Sequence, residues 1–575
     1  MKKLNRVLFS FGLGLVLASL NFAATGEENT PKREKRTQVP IEIKVTAWGR
    51  TQAEVDAAKQ RIERSKEVQK FLSGTRYRLL EFNYVDNEDK SRPTQIPTRF
   101  RAVFYDYTNN RTFVAEGGFD AAAAVTVTEA FYQPNPNDEE FAEAVRILQQ
   151  NATFGALLRS ENLDAFRPMP PVTVLSGTNE RLVNVGLEAQ GSSAENEIVG
   201  INIKSGQVIR YERGAPLTSL SSPDACGLPD SGQTVTPRGT AGQYQMVVSQ
   251  GGTTLWEMLV IRPTASSGTR GSGVEIRDVK YKGKSVLKRG HVPVLNVLYE
   301  DNACGPYRDW QYAEDSFNAP SEGATNPAPG IRILAPGQVA TTSMESGNDT
   351  GNFHGVAIYM QNDELVMVSE LDASWYRYIM EWRFASDGTI RPRFGFGATN
   401  SSCVCNVHNH HVYWRLDFDI VNPNNKVFQV ERGRKFLQPI TNELTRTRSL
   451  QTNRSFLIQN STGNEAYMLV PNITDGTVDA YGRSDLWVLK YKNVAGGSNF
   501  QNEIDDGTNI TSGSNTAINI GTFINNESLV DQDVVVWYGA HFIHADGMNL
   551  LNPQRSPSIL SGTHVVGPDI RPIRW

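Results

Sequence analysis

The sequence predicts a mainly β protein, with a large β-sandwich domain over residues 219–575 preceded by two small α+β modules over 39–120 and 121–218. Three observations point to this. A helix signature followed by alternating strand patterns occurs twice before residue 219. From Ser219 onward Gly, Pro, Ser and Thr become frequent and nearly every apolar run is short, as in Thr254 to Ile261, Val412 to Ile420 and Val534 to Trp537. At 575 residues and 39% hydrophobic content the chain is too long for one ordinary module and can bury real cores. The large domain exceeds the roughly 100 residues of a simple sandwich, so long loops or extra strands are expected.

Lys2, Lys3 and Arg6 precede an apolar run from Val7 to Ala24, the pattern of a secretory signal peptide over 1–24 followed by a polar linker over 25–38. Secretion or a periplasmic location is therefore expected, with no membrane association after cleavage. Removing those cations takes the formal net charge from -5 to -8. With 57 basic against 62 acidic residues there is no cationic surplus to meet a phosphate backbone, and nucleic acid is not an expected partner.

Thr51 and Glu54 form a capping-box pattern before a helix expected to run to about Leu72, with Val55, Ile62, Val68 and Phe71 at near-helical spacing. Strands follow at Tyr77 to Tyr84 and Arg99 to Glu116, the latter turning at Asn109 and Asn110. The second module repeats the plan. Its helix is expected over Asp138 to Gln150, and its strands near Leu182 to Glu188, Glu197 to Lys204 and Gln207 to Glu212.

Of only eight histidines and four cysteines, five lie between Cys403 and His411. His408 and His410 are two apart, so on a strand both imidazoles face one side and can share a metal, while His411 faces the other. A pair of neutral imidazoles suits copper or zinc better than calcium or magnesium. The stretch His408-Asn409-His410-His411-Val412-Tyr413-Trp414-Arg415-Leu416-Asp417-Phe418-Asp419 resembles the copper amine oxidases, whose hallmark is His-x-His followed by Arg-Leu-Asp-x-Asp. Trp256 to Pro263 and Gly273 to Tyr281 are similar to the opening strands of that family's catalytic domain, so the resemblance covers about residues 250 to 550.

The resemblance implies a supersandwich-like catalytic domain behind two cystatin-like domains, and a homodimer. It implies a third copper ligand at His544, seven residues after Trp537, with His541 as the competitor. It also implies a calcium-type site from the carboxylates of Asp417, Asp419 and Asp533 with the carbonyls of Phe418 and Val534, an oxygen shell suited to a hard cation. Ser374-Trp375-Tyr376-Arg377-Tyr378 aligns with the segment in which a tyrosine becomes topaquinone, placing Tyr376 at the precursor position. Trp375 stands where the family has asparagine, and Arg377 where it has an acidic residue. Tyr376 lies 32 residues before His408, a separation suited to neighbouring strands.

Tyr299, Arg308, Trp310 and Gln311 resemble the segment leading to the catalytic base, which puts Asp315 at the base position, Glu314 as its alternative, and Tyr299 where a tyrosine hydrogen-bonds the quinone oxygen. The function so implied is a secreted copper and topaquinone primary amine oxidase, which converts an amine and dioxygen to an aldehyde, ammonia and hydrogen peroxide. A copper-binding, quinone-free relative of the same fold is the alternative. Cys403 and Cys405, outside the family pattern, are expected in disulfides with Cys226 or Cys304, with a thiolate metal site or a different copper oxidase as further readings.

Overall fold

From Gln243 onward the mostly short apolar runs pair, together with Ile41–Ala47, into two large and mostly antiparallel sheets, one of ten strands and one of eleven among the described residues. The computed structural model describes residues 41–85, 93–160, 163–168, 171–175, 177–189, 197–211, 227–229, 231, 235–268, 270–299, 307–399, 401–405, 408–433, 435–449, 451–476, 484–491, 520–544 and 565–575. The expected signal peptide and linker, Cys226 and Cys304 lie outside the described residues, as do the side chains of Tyr299, Arg308 and Cys405.

The two sheets pack face to face as a sandwich. One hydrophobic core draws Trp256, Ile276, Trp414 and Val536 from the first sheet and Met367, Tyr378, Trp382 and Phe394 from the second. Buried tryptophans close the layer with polar contacts: the Trp382 indole N–H donates to the Val274 carbonyl at 2.8 Å, and that of Trp256 to the Ala385 carbonyl at 3.1 Å. Each bond is worth about 1 kcal/mol net, but an indole N–H left unsatisfied in that core would cost about 1–3 kcal/mol. The protein is thus mainly β, as the short apolar runs predict.

Ahead of the sandwich, four strands (Tyr77–Val85, Arg99–Asp106, Arg111–Gly118, Thr126–Ala130) form a sheet covered by helices that set Ala58, Ile62, Val68 and Leu72 against Phe100, Phe104 and Phe113. The helix expected to reach Leu72 in one piece is two, Gln52–Arg64 and Lys66–Leu72. Ser65 is extended between them; its amide caps the first helix on the Ile62 carbonyl, and its side chain accepts from the Val68 N–H to start the second. Helix Asp138–Gln149 covers a second small sheet that includes Arg181–Ala189, Glu197–Asn202 and Gln207–Arg210. Strand Ile41–Ala47 pairs with Gln243–Gln250 and so extends the ten-stranded sheet of the sandwich.

Candidate metal centre

Three strands build the centre, and alternation decides what each one presents. On the histidine strand His408–Phe418, His408, His410, Val412, Trp414 and Leu416 face the inter-sheet core. His411 and Tyr413 face the other side of the sheet, where Tyr413 packs with Trp487 and Trp537. The return strand Val534–His544 runs antiparallel beside it, with His544 directly opposite His408 and His541 opposite His411. His544 therefore joins the His408 and His410 side, while His541 meets His411 behind it, Nδ1 to Nδ1 at 2.9 Å, with its Nε2 held 3.0 Å from the Ser484 carbonyl.

His408, His410 and His544 are all buried and each offers a nitrogen within 4.8 Å of the other two. His408 Nε2 faces His544 Nδ1 at 2.9 Å. The His410 ring packs against two phenylalanines that also pack on each other, parallel to Phe542 at 4.9 Å and tilted 25° to Phe396 at 4.6 Å, which restrains its plane. Three imidazoles converging in an apolar shell fit a borderline metal such as copper or zinc, because the donors are nitrogen and the wall around them excludes competing water.

The tyrosine strand Tyr376–Ala385 belongs to the other sheet. The 32-residue separation suggests strands side by side; instead Tyr376 and His408 face each other across the sandwich core. The Tyr376 hydroxyl lies 2.7 Å from His408 Nε2, and its ring sits edge-on to His410 at 4.8 Å. Tyr378, two residues on and therefore on the same face, stacks on Tyr376 at 5.3 Å.

Tyr376 leaves a two-residue turn, Ser374-Trp375, in which Ser374 has a positive φ of 65°. A side chain at such a φ is strained, and the turn is fastened from below. The Arg377 guanidinium donates to the Ser374 carbonyl at 2.8 Å and to that of Tyr376 at 3.3 Å. The same guanidinium pairs with Asp315 at 2.6 Å, Asp349 at 2.7 Å and Asp372 at 3.2 Å, on the side of the strand away from the histidines. Trp375 stacks edge-on against Phe166, which comes from the second small module, at 4.9 Å.

Asp315 thus sits against Arg377. Burial outweighs that cation, and its carboxyl is pushed up to about 7. Glu314 is fully buried and forked onto Arg262. Tyr299 ends the strand Lys284–Tyr299 with its backbone paired to His408. Asp417, Asp419 and Asp533 bring carboxylate oxygens within 4.8 Å of one another, with Phe418 and Val534 next to them in the chain. Cys403 is disulfide-bonded.

Asp309 is a functional candidate that the sequence did not single out. It is buried, its carboxylate accepts from the Tyr378 hydroxyl, and burial pushes it up to about 7 against that hydrogen bond and the charge of Arg270. It lies inside the quoted stretch from Arg308 to Gln311, where nothing in the residue types distinguishes a buried acid from a surface one.

In three dimensions the chain is similar to a copper-containing benzylamine oxidase from Hansenula polymorpha, at 14% identity and TM-score 0.59 over 91% of this chain and 97% of that one. It is similar to the Pichia pastoris lysyl oxidase, at 13% identity and TM-score 0.56 over 92% and 89%. An Aspergillus nidulans amine oxidase matches at 14% identity and TM-score 0.53 over 90% and 87%. No protein-family model matches the sequence, and no curated protein matches it. The chain therefore has the fold of the copper amine oxidases.

Proposed function

We propose that this chain, built on the copper amine oxidase fold, is a divergent and exported member of that family that oxidises a primary amine. The observation that carries the reading is the Tyr376 hydroxyl at 2.7 Å from His408 Nε2, inside a buried histidine triad. A phenol that must be oxidised beside copper has to reach the metal ligands, and this one does. His408, His410 and His544 would hold the copper, with Phe396 and Phe542 setting the plane of His410.

Copper with dioxygen supplies the oxidising equivalents, and a quinone derived from Tyr376 supplies the carbonyl that an amine attacks. Overall an amine, dioxygen and water give an aldehyde, ammonia and hydrogen peroxide, a balanced two-electron oxidation. The rest falls to the protein. Stacked rings around Tyr376 exclude water and orient the reacting carbon, and a carboxylate with a raised pKa accepts its proton. Asp315 and Asp309 are two buried carboxylates with a raised pKa suited to that task, and Tyr299, paired with His408 through its backbone, is the residue proposed to orient the quinone oxygen. A homodimer, and a hard cation such as calcium at Asp417, Asp419 and Asp533 with the Phe418 and Val534 carbonyls, belong to the same proposal.

Trp375 and Arg377 favour a second reading, a copper-binding protein in which Tyr376 stays a tyrosine. One experiment separates the two. Copper-free protein is loaded with copper in air, stained for quinone and digested for mass spectrometry of the Tyr376 peptide. A gain of two oxygens less two hydrogens on Tyr376, absent from the variant lacking His408, His410 and His544, is the expected result. An unmodified Tyr376 in fully copper-loaded protein would leave only the quinone-free reading.

A further inference from the structure

We propose that Asp309, oriented by Tyr378, is the carboxylate that accepts the substrate proton, and that Asp315 is instead part of the ion-pair cage of Arg377. The inference rests on the amine oxidase reading and concerns which acid serves it. Strand alternation separates the two acids. Tyr376 and Tyr378 share the face of the tyrosine strand that meets the histidines, and Tyr378 lies 6.0 Å from the His410 ring. Arg377 points the opposite way, together with Asp372, its direct partner on the adjoining strand. Asp315 and Asp349 gather on that guanidinium.

Asp309 lies on the histidine side. Its N–H donates to the Leu295 carbonyl at 3.0 Å, on the strand paired to the histidine strand, where Val297 is opposite His410. Its carboxylate takes the Tyr378 hydroxyl as donor, and Tyr378 in turn stacks on Tyr376. Asp309 thus accepts a hydrogen bond from a phenol on the reacting face and feels Arg270 through its charge, whereas Asp315 is in direct ion pair with a cation that also bridges two other carboxylates. Burial places both carboxyls at about 7, so acidity does not choose between them; position does.

In the step itself the C–H bond beside the amine nitrogen would break, with its proton going to the Asp309 carboxylate and its electron pair going to the quinone ring that Tyr376 would supply. Dioxygen, the co-substrate, would take up those two electrons with two protons as hydrogen peroxide.

The test compares full-length wild type with Asp309→Asn, Asp309→Glu, Asp315→Asn and Tyr378→Phe. Read-outs are copper content, phenylhydrazine-reactive carbonyl, and anaerobic bleaching of the quinone band by benzylamine and by methylamine. Asp309→Asn should keep its copper and its carbonyl and lose bleaching rate by about 100-fold or more, in line with a general base worth about 10²–10⁴. Asp309→Glu should recover part of the rate, and Asp315→Asn should stay within about tenfold of wild type. In copper-free protein, Asp309→Asn should remove one component of the protonated-carboxyl infrared absorption, the component that shifts in Tyr378→Phe, and leave those of Asp315 and Glu370. If Asp315→Asn is the slow variant while Asp309→Asn keeps its rate, the inference is overturned and the amine oxidase reading stands. Wild type that carries copper but no reactive carbonyl, or that neither amine bleaches, overturns both.

Discussion

Arg377 occupies the position after Tyr376 and answers to two demands at once. Its guanidinium balances Asp315, Asp349 and Asp372, and its Nη1 holds the carbonyls of a turn in which Ser374 carries a positive φ. Arg377→Met removes the cation and leaves buried carboxylates facing one another. Breaking a buried pair from one side costs about 3–5 kcal/mol, so the urea midpoint should fall by a corresponding amount. The loss should be larger at pH 8 than at pH 5, because the carboxyls that Arg377 no longer holds down can protonate at the lower pH. Arg377→Lys should recover only part of the loss, since an ammonium lacks the fork that reaches two carboxylates and the turn together. Wild-type stability in Arg377→Met would remove the cage from the argument. At this scale the sequence was informative where spacing carries geometry: His408 and His410 are two apart, and that alone puts them on one face. Asp309 and the Arg377 cage were not legible, because each is assembled from segments far apart in the chain, and no local pattern marks an acid for burial.

The turn that carries Tyr376 is also braced from another element. Phe166 ends the strand Leu163–Phe166, lies over Gly186 of its neighbour, and meets Trp375 edge-on. Trp375 stands where an asparagine is expected, and its ring meets Tyr376 at 6.3 Å. Phe166→Ala should therefore leave copper content unchanged while lowering the yield of modified Tyr376 in the copper-loading experiment, at a stability cost of roughly 1–3 kcal/mol for a half-buried ring. Full modification at wild-type rate would show that the small module does not position the turn. Elements were well legible where they are periodic or punctuated. The Asn109-Asn110 hairpin and the helix from Asp138 form as expected, and Asn110 takes the positive φ that the turn requires. The break at Ser65 was hidden, because Val68 continues the apolar spacing of the preceding helix even though Ser65 caps both pieces. The pairing of Ile41–Ala47 with a strand 200 residues away was hidden too, since an alternating strand does not name its partner.

Across the whole molecule, composition and punctuation point to small helix-bearing sheets ahead of a large β body, but they do not place Ile41–Ala47 in the large sheet or Thr126–Ala130 in the first small one, nor do they give the layering that makes the site. Tyr376 and the histidines belong to opposed sheets, and only packing brings them together. The same packing buries acids and sets how stability depends on pH. Burial raises Asp309 and Asp315 to about 7 and Glu370 to about 8, so between the unfolded value near 4 and these folded values the native state binds more protons than the unfolded chain. Their contribution to stability is complete below about pH 4 and is lost as pH rises through 7 to 8. Asp349 and Asp569 are lowered, against the cost of burial, by their hydrogen bonds and ion pairs with arginines. They act in the opposite sense, losing their contribution as pH falls below about 4. Copper-free protein should therefore be most stable near pH 4 to 5, lose stability steadily up to about pH 8, and change little above that on account of these groups. Glu370 gives the sharpest check, because both of its oxygens already accept from the Ser343 N–H and an amide can keep that bond. Glu370→Gln should flatten that decline, by at most roughly 4 kcal/mol between pH 5 and pH 9, with little change at pH 5. Urea melts at the two pH values measure this directly, and an unchanged slope in the variant would mean that Glu370 is ionised in the native state at neutral pH.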